Sequence, residues 1–375
     1  MPQNSAPSRR IRVAVVFGGR SSEHAVSCST AASFLSAIDR DRYDVIPIGI
    51  ARDGRWVTVV DDPEPLRLTG TQTPEVDGGA PHVLVPTSTD DRTLIVVEPD
   101  ELPRDLGEVD VVFPLLHGPF GEDGTIQGLF EMADIRYVGS GVAASAAMMD
   151  KHLMKVLLAG AGLPVGPYTV IRDKEWRADP SACLDAVAAL DWPVFVKPAR
   201  AGSSMGITRV ETPDALEAAI EAAREHDPKV IVESGIVGRE IECGVLEGRG
   251  SEPPRASVVG ECRVLTGHDF YDFDAKYLDA DGVELTAPAD VPDAIAEQIR
   301  EYAVAAFDAG GCEGLARIDF FYTERGEIIL NEVNTMPGFT PTSMFPRMWA
   351  ATGLAYAELI DELIALAMER RMGLR

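Results

Sequence analysis

The 375 residues suffice for two or three domains with substantial cores, and 46% hydrophobic with 25% charged residues is an ordinary balance for a soluble globular protein. A formal charge of −26 argues against nucleic acid and against anionic membrane surfaces as partners. An anionic small substrate must then be held by a local cluster of Lys and Arg.

The cysteines, Cys28, Cys183, Cys243, Cys262 and Cys312, are scattered, odd in number and form no C-x-x-C pair. That pattern suits reduced thiols in a cytosol, most of them small core residues. The polar stretch before Ile11 leads into only a short apolar run, so neither a signal peptide nor a membrane span is expected.

Residues 11–17 read as a buried strand, followed by the Gly18-Gly19 turn and a helical pattern through Leu35 and Ile38. A strand, a glycine turn and a helix start place backbone N–H groups and Glu23 at the edge of a parallel sheet. Residues 43–50 supply a second strand and residues 109–116 a third, ending in His117. Glu23 and His117 then stand at the carboxyl ends of strands in an open α/β sheet, where ligands usually bind. Between them, residues 61–105 are rich in Pro, Asp, Gly and Thr, with an isolated β-like piece at 93–97, and read as a surface excursion with little catalytic content.

Asp150 opens a helix that stops at Gly160, marking a domain boundary near residue 145. On this helix Lys151 and Lys155 form an i,i+4 pair, the pattern of a solvated face. A strand at 193–198 contains Lys197 and runs into a small-residue loop at 199–206 that returns into a further strand. Such a loop can fold over phosphates with N–H and hydroxyl donors, although no Gly-Lys pair, and hence no Walker A loop, occurs. A helix at 212–224 and a strand at 230–233 follow. Glu233 and Glu240 bracket a linker that reads as the hinge between two lobes. Two strands over 241–262, a long polar loop with aromatics around 268–278, a helix at 292–309 and an amphipathic helix at 356–368 complete the outline.

The chemistry concentrates at 314–343. Two apolar runs, 315–322 and 328–333, flank a Glu-Arg-Gly-Glu turn and read as a β-hairpin. Alternation puts Arg317 and Asp319 on one face of the first strand, and Glu332 and Asn334 on one face of the second. Phe321, Ile328 and Leu330 fall in the same phase, so that face is expected to be apolar further along. Two carboxylates about 4 Å apart repel by about 4 kcal/mol at an effective dielectric near 20, so the pair needs a cation. With an amide oxygen and no His or Cys nearby, the set suits Mg²⁺ and phosphate rather than zinc. The following Met336-Pro337-Gly338 reads as a type II turn, with φ > 0 at Gly338 and an N–H pair that can face an oxyanion. A protein kinase is disfavoured because neither His-Arg-Asp nor Asp-Phe-Gly occurs.

Five motifs in order carry a resemblance: FGGRSSEHAVS (17–27), LHGPFGEDGT (116–125), VKPARAGSSMG (196–206), FYDFDAKY (270–277) and NEVNTMPGFT (331–340). On these the chain resembles D-alanine–D-alanine ligases of the ATP-grasp superfamily over its whole length. The resemblance implies an α/β protein of three units. These are an N-terminal open parallel α/β domain (1–145), a central lobe with the glycine/serine loop (146–236), and a C-terminal lobe with a lid loop and metal site (237–375). ATP would lie between two antiparallel sheets. The first D-alanine carboxylate would attack the γ-phosphorus, and the amine of the second would then attack the acyl phosphate.

Carried over position by position, Asp319, Glu332 and Asn334 resemble the ligands of two Mg²⁺ ions, with Mn²⁺ as a substitute. Lys155, Lys197 and Lys276 resemble phosphate-binding lysines, Ser204 a loop contact, and Glu233 and Glu240 the adenine-side and ribose contacts. Arg317 and the Gly338 N–H resemble oxyanion stabilisers. Glu23 and His117 resemble first-substrate contacts, while Ser343 and Met344 sit where the second D-alanine carboxylate is held. Tyr277, Ser203 and Glu23 resemble the trio that locks the lid, and the Tyr favours D-alanine over D-lactate as second substrate. Ser234, where several relatives carry Lys, and Phe273, where some carry Tyr, depart from the pattern. The family reading further implies a cytoplasmic homodimer supplying peptidoglycan precursors, with no nucleic-acid or membrane partner. The alternative is the same fold joining D-alanine to a D-hydroxy acid or another D-amino acid.

Overall fold

Three sheets carry the chain. A computed structural model describes residues 9–69, 73–86, 88–202, 205–265 and 282–371. In the first sheet β1 (Ile11–Gly18) lies between and parallel to β2 (Tyr43–Ile50) and β7 (Val111–Pro114). Val13 to Phe17 are buried without a break, as expected of a parallel strand covered on both faces. Helices His24–Ala37 and Tyr356–Glu369 pack on one face and Thr125–Met132 on the other.

The stretch expected to be a surface excursion instead extends this sheet. β3 (Trp56–Thr58), β4 (His82–Leu84), β5 (Thr93–Val97) and β6 (Arg104–Glu108) add antiparallel strands in the order β6-β5-β4-β3-β2-β1-β7. Val83, Leu94 and Val96 are buried in it, and the Val76 N–H donates to His24 Nε2 at 3.1 Å. Strands of three to five residues carry too few alternations to stand out between turn-forming residues.

The second sheet, order β10-β9-β11-β8, contains β8 (Tyr168–Arg172), β9 (Val194–Pro198), β10 (Thr208–Val210) and β11 (Lys229–Ser234), all antiparallel. Helix Leu216–Arg224 packs on it through Ile220 and Ala223. The third sheet runs β14-β13-β12-β15-β16, from β12 (Gly238–Leu246), β13 (Arg255–Val264), β14 (Val283–Thr286), β15 (Leu315–Thr323) and β16 (Ile328–Asn334). One face rests on helix Asp293–Ala309 through Ile299, Ala303 and Phe307. Helix Lys151–Gly160 begins as expected at Asp150, whose carboxylate accepts from the His152 and Leu153 N–H groups. Met154 and Leu158 of this helix join the third sheet's core.

The β15–β16 hairpin forms with one change that alters its faces. Asp319 pairs with Glu332 but Phe320 pairs with Leu330, so Asn331 is an extra residue and the ladder is bulged. Ile328 and Leu330 therefore turn into the core with Val333, rather than sharing the face of the acids as the strict alternation predicted. Only Phe321 continues the acidic face.

Candidate active site

A cavity of about 1340 Å³ opens between the second and third sheets and reaches the carboxyl end of β1. Ligand pockets commonly run ~300–1,000 Å³, so this one has room for a large ligand and small co-substrates together. Its floor is a row of acids on three adjacent strands. Glu242 pairs with Asp319, and Asp319 with Glu332. Arg317, two residues along β15 on the same face, donates from Nε to Asp319 Oδ1 and from Nη2 to Oδ2, both at 2.8 Å. The same Nε lies 2.9 Å from Glu242 Oε2. Burial opposes the guanidinium charge, but Asp319 and Glu242 outweigh it and hold Arg317 ionised. Lys151 Nζ stands 3.7 Å from Glu332.

Asn334 completes the corner, its Nδ2 donating to Asp319 Oδ2 at 2.9 Å and to Glu332 Oε1 at 3.4 Å. A donor thus fills the space between two carboxylates, the place a cation would take. Turning the amide over exchanges Nδ2 for Oδ1 there and yields an all-oxygen set of two carboxylates and one carbonyl. The residues fit a hard divalent ion such as Mg²⁺.

Across the cavity, Glu233 lies between two lysines, 2.8 Å from Lys155 Nζ and 2.5 Å from Lys197 Nζ. Burial alone would raise the Glu233 carboxyl, but Lys197 and Lys155 prevail and hold it well below the usual carboxylate range. Lys155 is 2% exposed, so the Lys151/Lys155 pair is not the solvated face its spacing suggested. Lys151 likewise points inward and donates to the Ala201 carbonyl at 3.1 Å. Glu240 lines the same cavity one strand away.

The N-terminal wall brings Glu23 and His117 together, both about 4% exposed. Gly118 and Gly202 allow this, since a Cβ on either would collide with the Glu23 carboxylate. Burial lowers the His117 pKa against the pull of Glu23, so the ring is neutral. Its Nδ1 faces the Met336 carbonyl at 3.1 Å and must carry the proton, leaving Nε2 as acceptor 3.3 Å from Thr30 Oγ1.

Glu122 is the residue that sequence reasoning passed over here, although it lies in the same motif as His117. One oxygen accepts from the Gly118 N–H at 2.7 Å and the other from the Met336 N–H at 3.1 Å. Burial, reinforced by Glu23, raises its carboxyl from 4.5 to about 8. A folded pKa above the unfolded one means that the stabilisation is full below about 4.5 and is lost as pH rises through about 8. Urea midpoints measured at pH 6 and pH 9 should fall between those values for the wild type and stay flatter for Glu122→Gln. Equal slopes would refute the assignment.

At the far end, Gly338 does not enter the left-handed region, so the predicted type II turn with φ > 0 is not formed. The chain leaves β16 in an open bend instead, its start gripped at Met336 by His117 and Glu122. Ser343 Oγ accepts from the Thr340 N–H at 3.2 Å and stacks beside Gly338, while Met344 is buried at the start of helix Met344–Thr352. Ser203, Ser204, Lys276 and Tyr277 lie outside the described residues.

The family described as D-ala D-ala ligase N-terminus matches residues 12–140, and that described as D-ala D-ala ligase C-terminus matches residues 157–365. The chain belongs to the D-alanine–D-alanine ligase family. A D-alanine–D-alanine ligase of Arthrobacter sp. (strain FB24) is 61% identical over 375 residues, covering 100% of this chain and 98% of the relative. One from Pseudarthrobacter chlorophenolicus is 60% identical over 97% of this chain and 96% of its own. Among solved structures, the VanG D-Ala:D-Ser ligase from Enterococcus faecalis matches with a TM-score of 0.83 and 38% identity, covering 96% of this chain and 100% of that one. The D-alanine-D-alanine ligase from Coxiella burnetii matches at 0.79 and 32%, covering 96% and 94%. The three sheets are accordingly those of the ligase family's ATP-grasp fold.

Proposed function

We propose that this chain ligates two D-alanines to D-alanyl-D-alanine, converting ATP to ADP and phosphate and supplying a peptidoglycan precursor in the cytoplasm. The observation that carries the reading is the juxtaposition of Asp319, Glu332 and Asn334 with Arg317 on one floor, facing Lys155 and Lys197 across a single cavity. Triphosphate oxygens take the place that Glu233 now occupies against the two lysines. Asp319, Glu332 and Asn334 would hold Mg²⁺, or Mn²⁺ in its place, and the ion would supply charge neutralisation at the terminal phosphates. Glu240 serves the ribose.

Glu23 faces the ammonium group of the first D-alanine and, with neutral His117, aims its carboxylate at the γ-phosphorus. An oxygen of that carboxylate forms the new O–P bond and ADP leaves. The amine of the second D-alanine, having passed its ammonium proton to solvent, then attacks the acyl carbon; phosphate leaves with the C–O electrons and carries away the proton that the nitrogen sheds. Arg317 and the Gly338 N–H stabilise the oxyanion of that addition, and Ser343 with Met344 seats the second carboxylate. Phosphoryl transfer of this kind needs positioning and charge neutralisation rather than covalent help from the protein.

Labour is divided among units at 1–145, 146–236 and 237–375, in a homodimer that sedimentation would detect. Phosphate release from ATP and Mg²⁺ should depend on D-alanine and not on L-alanine, with D-alanyl-D-alanine as the product by mass. Release that ignores D-alanine would overturn the proposal. D-alanine supplied together with D-lactate or D-serine tests the alternative second substrates, and the dipeptide of D-alanine alone is the expected main product.

A further inference from the structure

Glu242 has no part in the mechanism above, yet it is 5% exposed at the end of the acidic row and touches the oxyanion arginine. The contact is unusual in its proton count. Arg317 Nε carries one hydrogen, and that hydrogen points at Asp319 Oδ1, while Glu242 Oε2 lies 2.9 Å from the same nitrogen. Glu242 therefore supplies charge to Nε at hydrogen-bond distance without being the acceptor that takes its proton.

Asp319 faces competing demands. It holds Arg317 through both its oxygens and accepts from Asn334, yet the proposed function also requires its oxygens for a divalent ion. A buried guanidinium left with no carboxylate to receive its Nε proton would be expensive to keep in place. Glu242, opposite Asp319 in the strand register, is already positioned to take over.

We propose that Glu242 is the positioning residue for Arg317, receiving the Nε proton when Asp319 turns to a divalent ion. The guanidinium is then kept on the floor of the cavity with its Nη edge released toward the reacting carbonyl. The inference rests on the metal reading of Asp319, and it assigns Glu242 to the arginine rather than to the metal.

Three measurements test it. In turnover, Glu242→Ala should lower kcat at least tenfold with the KM for ATP within about threefold, and Glu242→Gln, which keeps a Nε acceptor, should recover much of the loss. In the absence of substrates, Glu242→Ala should weaken Mn²⁺ binding measured by electron paramagnetic resonance, because drawing Asp319 to the ion then strips the buried arginine of its carboxylates, and Glu242→Gln should recover much of the affinity. In thermal unfolding of the metal-free protein, Glu242→Ala should cost roughly 2–4 °C more in an Asp319→Asn background than alone, because the arginine then depends on Glu242.

Additive melting shifts, or a kcat within twofold of wild type, would overturn the proposal. Unchanged Mn²⁺ affinity in Glu242→Ala would do so too, and so would an equal loss in Glu242→Ala and Glu242→Gln, which would make Glu242 a metal carboxylate. A wild type with no D-alanine-dependent phosphate release would sink the proposed function instead, while the melting shifts would still decide whether Glu242 takes over the arginine.

Discussion

Glu332→Gln is expected to lower kcat roughly a hundred- to a thousandfold, the size of loss seen when one preorganised group is removed from a transition-state charge site. The exchange preserves volume and leaves an oxygen on β16, so the hairpin and its bulge should survive. What is lost is one of the two charges that make the corner attractive to a divalent ion, and Mn²⁺ binding should weaken in parallel. KM for D-alanine should move little, since Glu332 stands on the phosphate side and the Glu23 wall is untouched. Normal dipeptide synthesis by the variant would show that the acidic corner is not the metal site.

Glu233→Ala should be the most destabilising single change in the cavity. Glu233 is 7% exposed, and its carboxylate is the shared partner of Lys155 and Lys197. Removing one member of a buried ion pair typically costs about 3–5 kcal/mol, because the remaining charge is left uncompensated, and here two lysines are left. Urea unfolding would measure the loss. The pH dependence has a definite sign: Glu233 titrates below its ordinary 4.5 in the folded chain. Its contribution is therefore present above about 4.5 and disappears as the solution is acidified through the folded pKa. The variant should show a shallower acid limb than the wild type, and an unchanged limb would count against the Lys155–Glu233–Lys197 arrangement.

Much of the architecture could be read from residue order where segments were long and their patterns clean. The strand at 43–50, the helix from Asp150 to Gly160, the β15–β16 hairpin and the apolar stripe of Leu359, Ile360 and Leu363 stand where periodicity put them. Arg317, Asp319, Glu332 and Asn334 converge for the same reason, since each lies two residues from its neighbour on a paired strand. The bulge escaped because one inserted residue inverts every later side chain, and its trace, Leu330 and Val333 both apolar and three apart, is small. The strands at 82–84 and 104–108 escaped, and the piece read at 93–97 showed no partners, because these strands are short and pair across turns. Glu122 and Glu242 escaped for a different reason. Their importance lies in contacts with Met336 and Arg317, far away in sequence; the motif around His117 was the one local sign for Glu122, and nothing nearby in the chain marks Glu242 as a carboxylate that will be buried.

The helix Tyr356–Glu369 lays Leu359, Leu363 and Ile364 into the same cluster as Val13, Val15 and Phe113. During synthesis, helix His24–Ala37 can cover part of that side early, but the part that meets Tyr356–Glu369 stays open while more than two hundred residues after Pro114 leave the ribosome. The nascent chain must spend that interval with an apolar face awaiting its partner, the circumstance in which chaperones are most often engaged.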